Sequence, residues 1–189
     1  MSTIGMATER KRLHPHKFTL WLAIGSIVMM FAGLTSAVIV KRNQADWQGF
    51  TLPTIFWYST GVLLITSLTI QMALRAFKER RMQRYRSLLT ITAVGGLLFV
   101  VLQFRGFESL WGQGLRFTND VAVSFLYIIF GLHAVHVLGG IIALTIQFGR
   151  AFSARSRNYS AVPIEIVSTY WHFVDLLWLY ILVFFILIQ

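Results

Sequence analysis

Long uninterrupted apolar stretches dominate the pattern of this chain. Apart from Asp175, five stretches contain no Asp, Glu, Lys or Arg: 18–40, 47–74, 87–104, 121–148 and 166–189. Each has at least 18 residues, and about 20 are needed to cross a hydrocarbon core of roughly 30 Å. Strands of a membrane barrel would be about 10 residues long with alternating polarity. The pattern therefore predicts helices, which satisfy their backbone hydrogen bonds internally.

The predicted fold is an all-α membrane protein with five transmembrane helices. We expect a single domain over 1–189, with helices at about 18–40, 53–76, 87–108, 120–148 and 163–188. The first apolar stretch has 23 residues, whereas the core of a cleaved signal peptide has roughly 7–15. The first helix is therefore expected to remain in the protein.

Composition excludes a water-soluble or disordered chain. Hydrophobic residues make up 56% of the 189 residues and charged residues 13%, and the mean hydropathy is +0.66. A soluble domain is about 45–50% apolar and about 25% charged, and disorder requires low hydrophobicity. The absence of cysteine excludes disulfides, thiolate metal sites and cysteine nucleophiles.

The net charge of +10 reports topology rather than nucleic-acid binding. Few basic residues lie on one side of the predicted membrane, namely Lys41, Arg42, Arg105 and Arg116. The others gather on the opposite side: Arg10, Lys11, Arg12, Lys17, Arg75, Lys78, Arg80, Arg81, Arg84, Arg86, Arg150, Arg155 and Arg157. Short cytoplasmic loops retain Lys and Arg, so we expect a cytoplasmic N-terminus, a periplasmic C-terminus and no nucleic-acid partner. The cluster at 75–86 is also a candidate for anionic lipid headgroups.

Two further patterns predict packing and membrane depth. Small residues in helices 1 and 3 indicate close helix packing: Gly25, Ser26, Ala32, Gly33, Ser36, Ala37, Gly95 and Gly96. Aromatic residues near helix ends are typical of the membrane interface: Trp47, Phe56, Trp57, Tyr58 and Trp111.

Polar residues inside the membrane concentrate in helices 4 and 5. His133 and His136 are three apart, as are His172 and Asp175, so each pair shares a helix face. At 1.5 Å rise per residue, His136 and Asp175 lie roughly 20 and 18 Å from the cytoplasmic ends of their helices. Intramembrane charges usually find a partner, so we predict a hydrogen bond between His136 and Asp175.

The residues alone leave several interpretations of these side chains open. Histidines and a carboxylate are possible metal or haem ligands, although His133 and His136 cannot both bind the two axial faces of one haem. Asp and His chains also mark proton pathways. A third interpretation is a polar seam that joins helices 4 and 5 and receives a lipid headgroup. A transporter would be expected to contain an inverted repeat, which this sequence does not show.

Helices 4 and 5 also contain motifs of a known family. The string GLHAVHV at 131–137, and then Glu165 followed after six residues by His172 within YWHFVDLLW at 170–178, resemble subunit III of the haem–copper terminal oxidases. The similarity is strong over about 120–180 and extends more weakly over 18–104. The length and the five predicted spans resemble the bacterial five-helix form of that subunit.

The resemblance implies a non-catalytic membrane subunit without haem or metal of its own. Such a subunit packs on catalytic subunit I, which holds the haem and copper, reduces oxygen and pumps protons. It stabilises the active site during turnover, supports proton uptake and binds phospholipid in a cleft. The residues that match the motifs are then structural or lipid-cleft residues: His133, His136, Glu165, Trp171, His172, Asp175 and Trp178.

The chain departs from the family pattern at two acids. Helix 1 reads IGSIV at 24–28, where the family often has a buried Glu, and helix 3 ends QFRGF at 103–107 in place of Gln-x-x-Glu-Tyr. The resemblance favours a cytochrome c oxidase subunit III in the bacterial inner membrane, partnered by subunit I, other oxidase subunits and phospholipid. The alternatives are an accessory subunit of a nitric oxide reductase and a self-contained haem-binding cytochrome using His136 and His172.

Overall fold

The described part of the chain consists mainly of five long helices. The computed structural model describes residues 15–42, 52–114, 121–152 and 160–188. The helices are α1 (Pro15–Arg42), α2 (Ile55–Lys78), α3 (Met82–Gly112), α4 (Val121–Phe152) and α5 (Val162–Ile188). All five are long and apolar enough to cross a membrane. The prediction of an all-α protein with five spans is therefore confirmed.

The helices extend beyond the apolar stretches from which they were predicted. α3 begins at Met82 rather than 87 and ends at Gly112 rather than 108, while α1 and α4 also run a few residues further than expected. Charged residues end an apolar stretch without ending a helix, because Arg and Lys have good helix propensity. The basic turns at these ends thus continue the helices towards the aqueous phase.

Consecutive helices run in opposite directions, and ion pairs and turns bring their ends together. Lys17 at the start of α1 and Lys78 at the end of α2 both contact Glu165 at the start of α5. Arg86 near the start of α3 donates a hydrogen bond to the carbonyl of Ala151 at the end of α4, over 2.8 Å. We refer to this end of the bundle as the basic end.

A tight turn joins α2 to α3. Arg80 there has a φ of 60°, in the left-handed region that non-glycine residues seldom adopt. The Arg81 N–H donates to the Ala76 carbonyl over 3.0 Å, which closes the end of α2. The turn makes α2 and α3 close neighbours along their lengths, whereas α1 packs on α4 and α5 and, within the described residues, not on α2 or α3.

The helices meet around aromatic side chains. Phe56, Phe99 and Phe130 each pack against the ring of Trp178, with ring centroids 5.4–5.8 Å apart. Phe56, in the first turn of α2, is fully buried in this cluster. Trp57, Tyr58 and Trp111 are well exposed near helix ends, as expected, whereas Trp47 lies outside the described residues.

The glycines predicted to pack closely fall into two groups, according to the space around an added Cβ. A Cβ on Gly96 would lie 2.9 Å from the ring of Trp171, and a Cβ on Gly95 would overlap Thr66. The predicted close packing of helix 3 is therefore confirmed. In α1, by contrast, Gly25 and Gly33 have nothing within 4 Å of an added Cβ. The prediction for α1 is wrong within this chain, because its buried residues are Ile24, Ile27, Phe31, Thr35 and Val38.

Candidate functional site: polar side chains between the helices

Glu165 links three helices at the basic end. Its Oε2 lies 2.6 Å from Lys17 Nζ and its Oε1 lies 2.7 Å from Lys78 Nζ. The Glu165 side chain is 23% exposed and the lysines are 40% and 53% exposed, so water screens both pairs in part. The first turn of α5 is thereby held to the start of α1 and the end of α2.

His172 lies about two helical turns beyond Glu165 on α5 and forms two hydrogen bonds to α2. Its Nδ1 is 2.7 Å from the Ser67 hydroxyl, and its Nε2 is 3.3 Å from Gln71 Oε1. An amide oxygen can only accept, so Nε2 carries the proton and donates to Gln71. The Nδ1 atom is then the acceptor, and Ser67 donates to it.

Two buried tryptophans of α5 also use hydroxyl groups of α2. Trp171 Nε1–H donates to Thr66 Oγ1 over 3.3 Å, and Trp178 Nε1–H donates to Thr60 Oγ1 over 2.9 Å. Both rings are at most 2% exposed. Buried indole N–H groups need such a partner, and these two bonds fix the register of α5 against α2.

Asp175 is a buried carboxyl in the middle of α5. The residue is 4% exposed, and neither carboxyl oxygen has a partner among the described residues. Asp175 lies three residues, about one helical turn, beyond His172 on α5.

His133 is the second buried group whose polar atoms have no partner in the described part of the chain. It is 2% exposed, and its ring lies 5.3 Å from the ring of Trp178, centroid to centroid. It lines an apolar cavity of about 150 Å³ between α3 and α4, together with Gln103. The Gln103 amide donates to the Ser59 hydroxyl over 3.2 Å.

His136 does not pair with Asp175, so that prediction is wrong. Its Nδ1–H donates to the Leu132 carbonyl of its own helix over 2.7 Å, and its ring meets the edge of Phe31 in α1. Tyr170 of α5 donates its hydroxyl hydrogen to the His136 carbonyl over 3.0 Å. Similar depth in the membrane did not imply contact, because His136 lies on the side of α4 that packs against α1.

A cavity of about 360 Å³ lies between α1, α2 and α5 at the basic end. Its ionisable lining among the described residues consists of Lys17, Lys78, Glu165 and His172. Polar atoms of Gln71, Ser168 and Thr169 and apolar side chains of Leu20, Trp21, Leu74 and Ile166 complete it. The missing contact between α1 and α2 leaves this space open.

The donor atoms of these residues are poorly placed for a metal or haem. Within the described ranges, no three His, Asp or Glu side chains form a group that could hold a metal ion. Both ring nitrogens of His172 already bond to α2, and Nδ1 of His136 bonds to its own helix. Binding haem between His136 and His172 would require breaking the contacts that join α5 to α2.

Several site residues were missed by sequence reasoning. Lys17 and Lys78 were assigned to topology, and Ser67, Gln71, Thr60 and Thr66 received no role. The signal for the lysines was an acid, Glu165, in the first turn of a helix at a strongly basic end of the bundle. The α2 hydroxyls carried no such signal, since Ser and Thr in membrane helices commonly bond to their own backbone.

Comparison with known proteins gives a consistent result. The model of the family described as cytochrome c oxidase subunit III matches residues 16–188. A probable cytochrome c oxidase subunit 3 of Nocardia farcinica is 32% identical over 165 residues, which cover 85% of this chain and 80% of the relative. A cytochrome c oxidase subunit 3 of Bacillus sp. PS3 is 26% identical, with 85% and 80% covered.

A probable quinol oxidase subunit 3 of Staphylococcus aureus is also similar, being 29% identical over 189 residues, with 95% of this chain and 91% of the relative covered. Subunits III of both donor classes are therefore among the relatives. With the family match over nearly the whole chain, five membrane-spanning helices and the motifs at 131–137 and 170–178, this multi-pass membrane protein belongs to the cytochrome c oxidase subunit III family of haem–copper oxidases.

Proposed function

We propose that this chain is the non-catalytic subunit III of a bacterial cytochrome c oxidase in the cytoplasmic (inner) membrane. It stabilises catalytic subunit I, supports proton uptake and binds phospholipid while subunit I reduces oxygen. In this proposal the haem and copper belong to subunit I, and this chain holds neither.

The observation that supports a structural role best is the use of the polar side chains of α5. His172, Trp171 and Trp178 all bond to α2, and Tyr170 bonds to α4. These groups hold helices in register instead of converging on a shared point where a reactant would sit. An accessory subunit requires this kind of rigid frame.

A cytochrome c donor is proposed because the relatives from Nocardia farcinica and Bacillus sp. PS3 are named cytochrome c oxidase subunits. A quinol donor is the alternative, because the Staphylococcus aureus relative is named a probable quinol oxidase subunit. Purified complex that oxidises reduced cytochrome c supports the proposal, and a complex that oxidises only quinol overturns this part of it. Reduction of nitric oxide instead of oxygen would favour the nitric oxide reductase alternative.

Phospholipid binding is proposed at the basic end. Exposed Arg75, Arg81 and Arg84 lie beside helix faces that expose large apolar side chains, including Leu68 and Met72. Such a surface suits an anionic headgroup with its acyl chains along the helices. Replacing Arg81 and Arg84 by Gln should lower the phosphatidylglycerol retained by the purified complex. Unchanged retention would contradict this proposal.

The proposed orientation places the basic end in the cytoplasm. The chain has no native cysteine, so single cysteines report orientation directly. Gln83 and Ser109 are both exposed and lie at opposite ends of α3. A membrane-impermeant thiol reagent added to intact cells should label Ser109→Cys and not Gln83→Cys, whereas the reverse pattern would overturn the orientation.

The proposed stabilisation of the catalytic subunit is tested by following the loss of oxidase activity during continuous turnover. Oxidase purified with and without this chain should show similar initial rates of oxygen consumption. The form without the chain should then lose activity faster during continuous turnover. Equal rates of activity loss would overturn the proposed stabilising role.

A further inference from the structure

We propose that the apolar cavity between α3 and α4 binds a lipid-soluble ring that carries carbonyl oxygens, the chemistry of a quinone head, and that His133 donates a hydrogen bond to one of these oxygens. The inference goes beyond the proposed function, which assigns this chain no ring-shaped ligand. It concerns the residues of this chain and requires no group of another subunit.

The cavity lies at membrane depth, far from the basic end. Gln103 and His133 line it, and each is roughly 30 Å from the basic end of its own helix at 1.5 Å rise per residue. Both residues belong to the apolar stretches 87–104 and 121–148. A ligand of this cavity is therefore expected to come from the hydrocarbon phase and to be lipid-soluble itself.

The cavity opens onto the outer surface of the bundle. Phe104 of α3 and Leu138 of α4 both line it, and they are 70% and 48% exposed. A molecule dissolved in the membrane can therefore enter between these two helices while both stay folded. The same opening allows a tail attached to the ring to remain in the lipid.

The size and the walls of the cavity suit one planar ring. Its volume is about 150 Å³, and an apolar cavity of this size in a protein interior can take up benzene. Four phenylalanines contribute to the walls: Phe99, Phe104, Phe107 and Phe130. Aromatic side chains pack favourably against another ring through their faces and edges.

His133 provides the polar recognition. It is 2% exposed, and neither ring nitrogen has a partner within the described part of the chain. A neutral imidazole has one N–H donor, which is costly to leave unpaired in an apolar site. A carbonyl oxygen of the ligand can accept from this N–H, whereas a plain hydrocarbon ring leaves it unpaired. Because neighbouring atoms cover both nitrogens, pairing requires the imidazole to turn about its Cβ–Cγ bond towards the cavity.

Gln103 provides a second donor from α3. Its amide nitrogen donates to the Ser59 hydroxyl over 3.2 Å. An amide nitrogen carries two hydrogens, so this bond leaves the other N–H for a ligand. Donors on two facing helices match a ring with oxygens on opposite sides. This arrangement favours a quinone over a simple phenol, which carries a single oxygen.

Binding of duroquinone to the purified complex tests the proposal. Duroquinone is a tetramethyl ring with two carbonyl oxygens, and durene is the same tetramethyl ring without them. In equilibrium dialysis at a fixed detergent concentration, the parent should bind duroquinone more tightly than durene. His133→Phe keeps a ring of similar size and should bind duroquinone about tenfold more weakly, the factor set by one hydrogen bond. Its affinity for durene should equal that of the parent.

A second variant fills the cavity. Ala134 lines it, so Ala134→Phe should abolish the saturable binding of both compounds at this site. Ala32→Phe is the matched control, since Ala32 is exposed on α1, and it should bind as the parent does. A quinone site on another subunit would add binding that neither substitution changes. The quantity to compare is therefore the difference between the parent and Ala134→Phe.

Three results would overturn the proposal. They are equal affinities of the parent for duroquinone and durene, an equal loss of both compounds in His133→Phe, and unchanged binding in Ala134→Phe. The thermal unfolding midpoint distinguishes a filled cavity from a misfolded chain. If Ala134→Phe does not fold, the ratio of the two affinities in His133→Phe still decides the question.

Discussion

Trp178 and Asp175 lie one turn apart on α5, and their buried polar groups differ in hydrogen bonding. The indole N–H of Trp178 has a hydroxyl partner in Thr60, and its ring packs among Phe56, Phe99 and Phe130. Asp175 is also buried, and it has no hydrogen-bond partner among the described residues. In a packed interior a polar group normally has a partner, so packing alone does not account for Asp175.

Replacement of Asp175 by Ala should loosen attachment of this chain to the oxidase without abolishing oxygen chemistry. The substitution removes a buried side chain from the packed face of α5, at a cost of about 1–3 kcal/mol. The amount of chain recovered with the purified complex should fall, while the initial oxidase rate of complexes that retain it stays near normal. Total loss of the initial rate, with the chain bound and haem content normal, would contradict a non-catalytic role.

At the residue scale, the sequence predicted which side chains of α4 and α5 are special but not what they contact. His136 and Asp175 were paired from their similar depth, yet the His136 ring meets Phe31 of α1, and Asp175 has no hydrogen-bond partner among the described residues. Contacts across helices depend on the rotation of each helix about its axis. In lipid this rotation is poorly encoded by hydrophobicity, because the exterior is as apolar as the core.

At the scale of the helix, the same physical reason explains why the predicted packing face of α1 is wrong. Small residues of this helix suggested a packing face, but Gly25, Ser26, Ala32 and Gly33 are exposed, and larger residues form the buried face. In α3 the same reasoning succeeded, because Gly95 and Gly96 accept side chains of α2 and α5. Five helices could be predicted because hydrocarbon demands internally bonded backbone.

Gly96→Ala should destabilise the packing of α3 against α5. The added Cβ would lie 2.9 Å from Cη2 of Trp171, a rigid ring that is itself buried. Overpacking of this kind costs about 1–3 kcal/mol, and thermal unfolding in mild detergent should reveal it. Gly25→Ala is the matched control, since nothing lies within 4 Å of its added Cβ. Equal effects of the two substitutions would contradict the packing described here.

Glu165→Gln should weaken the junction of α1, α2 and α5. Both lysine pairs are partly exposed, so each contributes up to about 1 kcal/mol, and the loss should shrink as salt concentration rises. The measurement is the midpoint of thermal unfolding at low and high salt. Glu108→Gln is the control, because its pair with Arg105 is 58–65% exposed and joins residues of one helix. If Glu165→Gln lowered the unfolding midpoint no more than Glu108→Gln does, the junction of α1, α2 and α5 would be contradicted.

At the scale of the whole molecule, the two halves of the bundle differ in the side chains that hold them together. The half containing Trp178 is a dense aromatic cluster, whereas the basic end contains the three-way ion pair and the cavity that reaches His172. The outer surface exposes large apolar residues on every helix, including Trp21, Leu68, Val94, Val135 and Leu187. Such a surface suits lipid and the other subunits of an oxidase, in which this family member is one component.

As an accessory subunit, this chain should hold no haem of its own. The most direct measurement is isolation of the tagged chain in mild detergent, followed by optical spectroscopy of the complex and of the chain separated from it. We expect a Soret band and oxygen-reducing activity in the complex and no Soret band in the separated chain. A Soret band that remains with the separated chain would contradict the account.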